Sequence, residues 1–152
     1  MPEASPTARE ALHCTIDADF EDAVLEVQLE HELAGFETVS VSRLDEMIEG
    51  MLEESVTRTA LLVVCHPVIA RDALAIDPRL AGLLPCTTAV YERADPTDDR
   101  VHVHHVSATK AIRDLGVAPS EAEGDVEALV ERTGEYVATV WENLETHAGA
   151  DA

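Results

Sequence analysis

Aromatic residues and lysine are scarce in this chain of 152 residues. Phe, Trp and Tyr together make up 3% of it, and Lys110 is the single lysine beside nine arginines. A core with so few rings must be filled by aliphatic side chains, and it offers few flat surfaces on which a base or a planar cofactor could stack. The composition therefore argues against a domain that binds its ligand by stacking.

The chain also lacks a long apolar run, a secretory signal and a regular cysteine pattern. Its longest purely apolar stretch, Ala60–Cys65, is far shorter than the roughly 20 residues that span a bilayer. Residues 1–11 contain Pro2 and Pro6 without an apolar core, which is typical of a flexible tail. The three cysteines have no regular spacing, which suits a reducing cytosol better than a disulfide framework. We expect a cytoplasmic protein with no membrane partner.

Acidic residues dominate the charge. The chain has 31 Asp and Glu against 10 Lys and Arg, a net charge of −21. The acids are spread over every segment, and the hydrophobic fraction of 46% is too high for a disordered chain. In molar salt the Debye length falls to about 3 Å, so the mutual repulsion of these charges is screened. The composition predicts a halophilic protein, and it argues against DNA or RNA as a partner because phosphates would be repelled.

Hydrophobic periodicity predicts five strands and five helices. Strands and helices do not alternate regularly, so the sequence predicts an α+β fold: a mostly antiparallel sheet of about five strands with two main helices packed on one face. Residues 12–147 are expected to form a single domain, followed by a second flexible tail at 148–152. The predicted strands are 12–17, 36–41, 60–65, 85–92 and 100–106, and the predicted helices are 20–34, 44–52, 68–76, 108–115 and one that starts near residue 120.

Three local features of the helices are also predicted. Leu25, Leu29 and Leu33 form an apolar stripe on the first main helix, which indicates a wide buried face. Ser120 with Glu123 three residues later predicts a capping box at the start of the last helix. The breadth of the apolar face of that last helix favours a homodimer.

The segment between residues 65 and 92 carries a cluster of motifs that resembles domain of unknown function 302. That family's pattern contains Cys-Asn-Pro, Ala-Leu, Asp-Pro, Leu-Pro-Cys and Val-Tyr-Glu in the same order. The resemblance implies an α+β fold with an antiparallel sheet, and it implies no activity. The motifs here are Cys65-His66-Pro67, Ala70, Ala73-Leu74, Asp77-Pro78, Gly82-Leu83-Leu84-Pro85-Cys86 and Val90-Tyr91-Glu92.

Cys65 and Cys86 are the candidate functional residues. Cys65 ends one predicted strand and Cys86 begins the next, so both thiols are expected at one edge of the sheet if those strands are neighbours. Thiolates bind soft ions such as Cu(I) or Zn(II), and His66 would supply a third ligand. His66 stands where the family usually has asparagine, so it either adds this metal-competent group or keeps a polar cap after the strand.

Other roles for these cysteines and for the histidines remain open. The two thiols could cycle between dithiol and disulfide, or both could be buried core residues, as is expected of Cys14. His102 and His104 share one strand face, where they could chelate a metal, although an exposed edge strand is the more common setting for such a pair. His31 is expected to be a hydrogen-bonded core residue.

The sequence therefore predicts a small-ligand or soft-metal binding module that uses Cys65, His66 and Cys86. The alternatives are a thiol-redox enzyme that uses the same cysteine pair and a non-catalytic interaction domain. Neither the ligand nor a cofactor is identified, and the motifs of the common hydrolases, phosphate loops, dinucleotide-binding turns and zinc proteases are missing.

Overall fold

The computed structural model describes residues 12–150, with side chains described as far as Glu145. Short 3-10 helices precede the fourth strand (Pro78–Leu83) and the last α-helix (Ser120–Ala122). The strands are β1 (His13–Ile16), β2 (Glu37–Arg43), β3 (Thr59–Cys65), β4 (Cys86–Tyr91) and β5 (Val101–Val106), and the helices are α1 (Phe20–Leu33), α2 (Leu44–Leu52), α3 (Pro67–Ile76), α4 (Ala108–Leu115) and α5 (Glu123–Ala150).

The five strands form one sheet in the order β1-β5-β4-β3-β2, and every neighbouring pair is antiparallel. This confirms the predicted α+β fold with an antiparallel sheet. β5 is an interior strand because the first strand of the chain pairs with it, with His13 opposite His104. The expectation of an exposed edge strand for His102 and His104 was therefore wrong.

The two main helices, α1 and α5, pack on one face of the sheet, as predicted. Because side chains alternate along each strand, every second residue points towards these helices. The core between the layers is mostly aliphatic, as the shortage of rings required. Its fully buried members include Ala23, Val27, Ala60, Leu62, Val64, Val90, Val103, Val140 and Leu144.

The leucine stripe of α1 lies on the opposite side of the helix from the core. Leu25, Leu29 and Leu33 keep 63%, 54% and 70% of their surface exposed. The sheet packs instead against the stripe that contains Ala23 and Val27, where small side chains allow close approach. The prediction of a wide buried face was therefore wrong.

The start of α5 also differs from the expectation. The 3-10 turn occupies the residues before Glu123, and the Ser120 hydroxyl donates to the Glu121 carboxylate at 3.4 Å. The predicted capping box of Ser120 and Glu123 is therefore not formed. At its other end α5 runs to Ala150, beyond the predicted domain end at residue 147. The predicted tail at residues 1–11 and the last two residues of the predicted tail at 148–152 lie outside the described part of the chain.

The apolar face of α5 is used inside the chain. Its first half packs against α3 and α4, and its second half joins the main core under the sheet. The apolar face of α5, on which the homodimer prediction was based, is therefore covered within the chain. A homodimer would have to form through another surface. No helix among residues 12–150 combines the length and the apolar character needed to cross a membrane. The buried apolar residues of α5 are Val126, Leu129, Val130, Val137, Val140, Trp141 and Leu144.

Candidate functional site

The two faces of the sheet differ in burial because α1 and α5 lie on one of them. Paired residues of neighbouring strands share a face, so the register assigns each position to a side. We call the side opposite the core the open face. Its paired positions are His13, Thr15, Glu37, Ser40, Ser42, Thr59, Leu61, Val63, Cys65, Thr87, Ala89, Tyr91, His102, His104 and Val106.

The open face carries few acidic residues for a chain of this composition. Glu37 is the only acidic residue among the paired positions of this face, although 31 of the 152 residues are Asp or Glu. Leu61, Val63 and Ala89 remain half-buried there, and Val106 is 55% exposed. A surface with partly exposed aliphatic side chains and few carboxylates is typical of a contact surface, since it gains from burial and has little charge to desolvate.

Cys65 and Cys86 lie on neighbouring strands but on opposite faces. Val64 is the residue that pairs with Cys86, so Cys86 points into the core and Cys65 points to the open face. Cys86 is 4% exposed, and its Sγ accepts a hydrogen bond from the backbone N–H of Ala108 at 3.5 Å. Cys65 is half-buried. The sequence brings the two strand ends together, but the register separates the two side chains.

The thiols are held in their protonated form. Burial raises the pKa of Cys65 and of Cys86, and it raises the pKa of Cys14, which is in the core as predicted, to about 12. A redox-active cysteine reacts as the thiolate, which a lowered pKa favours. This environment weighs against a redox pair.

His66 acts as the cap of α3. Its Nδ1 accepts a hydrogen bond from the Val68 backbone N–H at 3.3 Å, which is the task asparagine performs at a helix N-terminus. Its ring stacks on Tyr136 with centroids 3.8 Å apart and lies edge-on to Phe36 at 5.2 Å. Burial lowers the pKa of His66, and a hydrogen bond with the backbone of Ala34 opposes that shift.

This geometry does not bring Cys65, His66 and Cys86 together as three ligands of one ion. Among the described side chains, no group of three or more His, Cys, Asp or Glu is arranged to hold a metal ion. Two surface clefts, of about 310 and 410 Å³, border α5 and are not lined by any of these three residues. Cys65 alone, of the three, reaches the open face.

A second polar group lies at the other end of the open face. His102 is stacked on Tyr91, with ring centroids 5.3 Å apart, and its Nε2 is 2.7 Å from Oδ2 of Asp98. Its Nδ1 is 3.0 Å from Nε2 of His13 on the neighbouring strand. The ring of His104 lies 6.4 Å from that of His13. His13 could not be identified from the sequence, because its contact with His102 joins residues 89 positions apart.

Burial and hydrogen bonding fix the charges in this group. Burial, together with the neighbouring His102 and His104, lowers the pKa of His13. The hydrogen bonds from His102 and from the Arg100 backbone N–H lower the pKa of Asp98. Asp98 is therefore an ionised acceptor, and His13 is a neutral imidazole at neutral pH.

A third polar group lies in the core. It contains His31, which was predicted to be a core residue, and its neighbour His105. His31 Nδ1 donates to the Val27 carbonyl at 2.8 Å, so its Nε2 accepts from the Thr88 hydroxyl at 3.1 Å. The Thr88 oxygen in turn accepts from His105 Nδ1 at 2.7 Å. His105 Nε2 is then a buried acceptor for which no partner is found among the described residues. Burial lowers the pKa of His31 and of His105, so both imidazoles in this group are neutral at pH 7.

The fold and this surface define a small two-layer α+β domain with one covered and one open sheet face. The family model for domain of unknown function DUF302 matches residues 12–136, so the chain belongs to that family. The crystal structure of the uncharacterized conserved protein DUF302 from Bacillus stearothermophilus is similar, with a TM-score of 0.72 at 13% identity over 87% of this chain and 95% of that one. At that identity the likeness shows the fold alone. No curated protein matches this chain.

Proposed function

We propose that this chain is a non-catalytic interaction module that pairs with a second copy of itself through the open face of its sheet, with Cys65 inside the contact. The observation that carries the proposal is the near absence of carboxylates from a half-exposed aliphatic face in a chain with a net charge of −21. Burial of such a face stabilises a complex by about 25 cal/mol for each Å² of apolar surface.

Charge favours this face over the other exposed apolar surface. The leucine stripe of α1 is flanked on the helix by Asp22, Glu26 and Glu32, so two copies that met there would bring several carboxylates together. Desolvating a carboxylate without a cationic partner costs several kcal/mol. On the open face, Glu37 is the one carboxylate among the paired strand positions, and Asp98, which reaches this face from the loop before β5, is already paired with the His102 imidazole.

Two single substitutions of matched exposure test the proposal. Val106 on the open face is 55% exposed and Leu29 on α1 is 54% exposed, so glutamate at either site should leave the monomer fold intact. In molar KCl we expect a dimer for the unmodified chain. Val106→Glu should weaken self-association about tenfold or more, and Leu29→Glu should leave it unchanged. Light scattering coupled to size exclusion measures the mass at each protein concentration.

Three outcomes of that experiment lead to different conclusions about the contact surface. Dissociation by Val106→Glu alone supports the open face as the contact. Dissociation by Leu29→Glu alone would move the contact to α1 and overturn the proposal. A chain that stays monomeric at every concentration would remove the dimer altogether.

The soft-metal or small-ligand site at Cys65, His66 and Cys86 stays a prediction, as do salt adaptation and a cytoplasmic location. Loading with Cu(I) in molar salt, with the Cys65→Ser and Cys86→Ser double variant as control, is the direct test of the metal. Of the three residues proposed as ligands, Cys65 is the one that lies on the open face.

A further inference from the structure

Two imidazole nitrogens on neighbouring strands of the open face lie within hydrogen-bond distance of each other. Nε2 of His13 and Nδ1 of His102 are 3.0 Å apart, with the ring centroids 5.3 Å apart. Two histidine nitrogens bound to one tetrahedral Zn²⁺ at 2.0–2.1 Å are about 3.3 Å apart. The two rings therefore stand within a few tenths of an ångström of the separation that a shared ion imposes.

We propose that these two nitrogens bind one divalent transition-metal ion of the Zn²⁺ class. Imidazole is a preferred ligand of Zn²⁺, Ni²⁺ and Cu²⁺. The remaining coordination positions are filled by water or by groups from outside the chain, because the described side chains offer no third ligand in place. We expect this ion to be held less tightly than in sites with three or four protein ligands.

Asp98 provides the outer support that such sites usually have. A metal-binding histidine almost always donates its other ring N–H to a carboxylate or carbonyl, which fixes its tautomer and orientation. His102 does this through Nε2, which is 2.7 Å from Asp98 Oδ2, while Asp98 Oδ1 accepts from the Arg100 backbone N–H at 3.1 Å. Stacking on Tyr91 holds the same ring from its face. The Nδ1 lone pair of His102 is thus aimed at His13 before any ion arrives.

No net proton is taken up or released on binding, because His13 loses its Nε2 proton to water and takes up a proton from water at Nδ1. In the metal-free protein His102 Nδ1 accepts from His13 Nε2–H, because His102 Nε2 carries the proton donated to Asp98. When the ion binds, neutral His13 carries its proton on Nδ1 and presents the Nε2 lone pair. His102 keeps its tautomer. Arg93 near His13 opposes a cation, whereas Asp98 and the overall charge of −21 favour one.

The test is Zn²⁺ titration of the full chain by calorimetry in molar KCl, where the many exposed carboxylates are screened. We expect one Zn²⁺ per chain. His13→Ala and His102→Ala should each weaken binding by more than tenfold, and Asp98→Asn, which keeps the fold and both ligands, should weaken it about tenfold. Cys65→Ser should bind as the unmodified chain does. Co²⁺ in place of Zn²⁺ should show ligand-field bands without sulfur-to-metal charge transfer.

The outcomes separate this site from the cysteine region and from the proposed dimer. No Zn²⁺ uptake, or uptake that survives both histidine substitutions, would overturn the proposal. Uptake abolished by Cys65→Ser, with a sulfur charge-transfer band for Co²⁺, would also overturn it and would move the ion to the thiol. Because Val106→Glu leaves His13 and His102 intact, the Zn²⁺ affinity of that variant reports on this site even if the dimer proposal fails.

Discussion

At pH 4 the free energy of unfolding should be lower than at pH 7 by roughly 3 kcal/mol through His105 alone. Burial, with smaller contributions from nearby His31, His104 and Lys110, lowers the pKa of His105 to about 3. Its Nε2 has no acceptor within reach among the described residues, so a proton there would place an unpaired charge in the core.

The sign follows from the two pKa values. The folded-state pKa lies below the unfolded value of about 6.5, so the unfolded chain takes up a proton as the pH falls below 6.5 while the folded chain does not. The contribution of neutral His105 to the free energy of unfolding is therefore fully present above about pH 6.5. It is lost progressively as the pH falls to about 3. Asp45 and Glu92, whose ion pairs with arginine lower their pKa, contribute losses only at the acidic end of this range.

Denaturant unfolding of the unmodified chain and of His105→Leu, at pH 7 and pH 4 in the same salt, measures this contribution. The unmodified chain should lose roughly 3 kcal/mol more between the two pH values than the leucine variant. Leucine leaves the Thr88 hydroxyl free to donate to His31, so the variant should fold. Equal losses in the two proteins would mean that His105 is not the buried neutral group described above.

Gly35→Ala should destabilise the fold by about 2–4 kcal/mol, through two separable effects. Gly35 has a φ of +97°, in the left-handed region where a side chain is strained. A Cβ built there would also lie 2.8 Å from Nε2 of His66, and the stacking of His66 between Phe36 and Tyr136 leaves its ring little room to move. The backbone term alone is about 1–2 kcal/mol.

A double-mutant cycle with His66→Asn separates the two effects. Asparagine keeps the cap on the Val68 N–H and removes the ring, at a cost of about 1 kcal/mol for the lost stacking. In that background Gly35→Ala should cost only the backbone term, a coupling of at least about 1 kcal/mol. If the two losses in the free energy of unfolding are additive, the contact of the added Cβ with the His66 ring does not contribute to the destabilisation.

Local sequence signals were enough for the elements themselves. The helices 44–52 and 108–115 begin and end where the apolar spacing predicted. The hairpin of β4 and β5 follows from two strand patterns separated by an Asp-Pro turn. These features depend on neighbours within a few residues, so the sequence contains the information directly.

The arrangement of the candidate site depends on the register of the strands, which local sequence signals do not determine. Whether Cys65 and Cys86 share a face is decided by the pairing of Cys86 with Val64, and a shift of one residue would reverse the answer. The pairing of β1 with β5 likewise created the contact of His13 with His102 and moved β5 away from the edge. On β2, a bulge between Thr38 and Ser40 broke the predicted alternation.

The face of α1 was misjudged for a related reason. The helix carries two apolar stripes, and periodicity alone does not choose between the larger leucines and the stripe of Ala23, Val24 and Val27. The sheet selected the smaller residues, since they let the helix lie close to the strands. Leu25, Leu29 and Leu33 therefore remain exposed, and Leu29 serves as the matched control for Val106 on the open face.

The most direct test of the central claim, that the open face is the contact surface, is the alkylation rate of Cys65 as a function of protein concentration in molar KCl. Mass spectrometry reads the modification at each thiol. Cys14 and Cys86, both in the core, should stay unmodified in the folded chain and serve as internal controls. The account predicts that the Cys65 rate constant falls as concentration rises, because a second copy covers the thiol. A rate constant that does not change with concentration would contradict it.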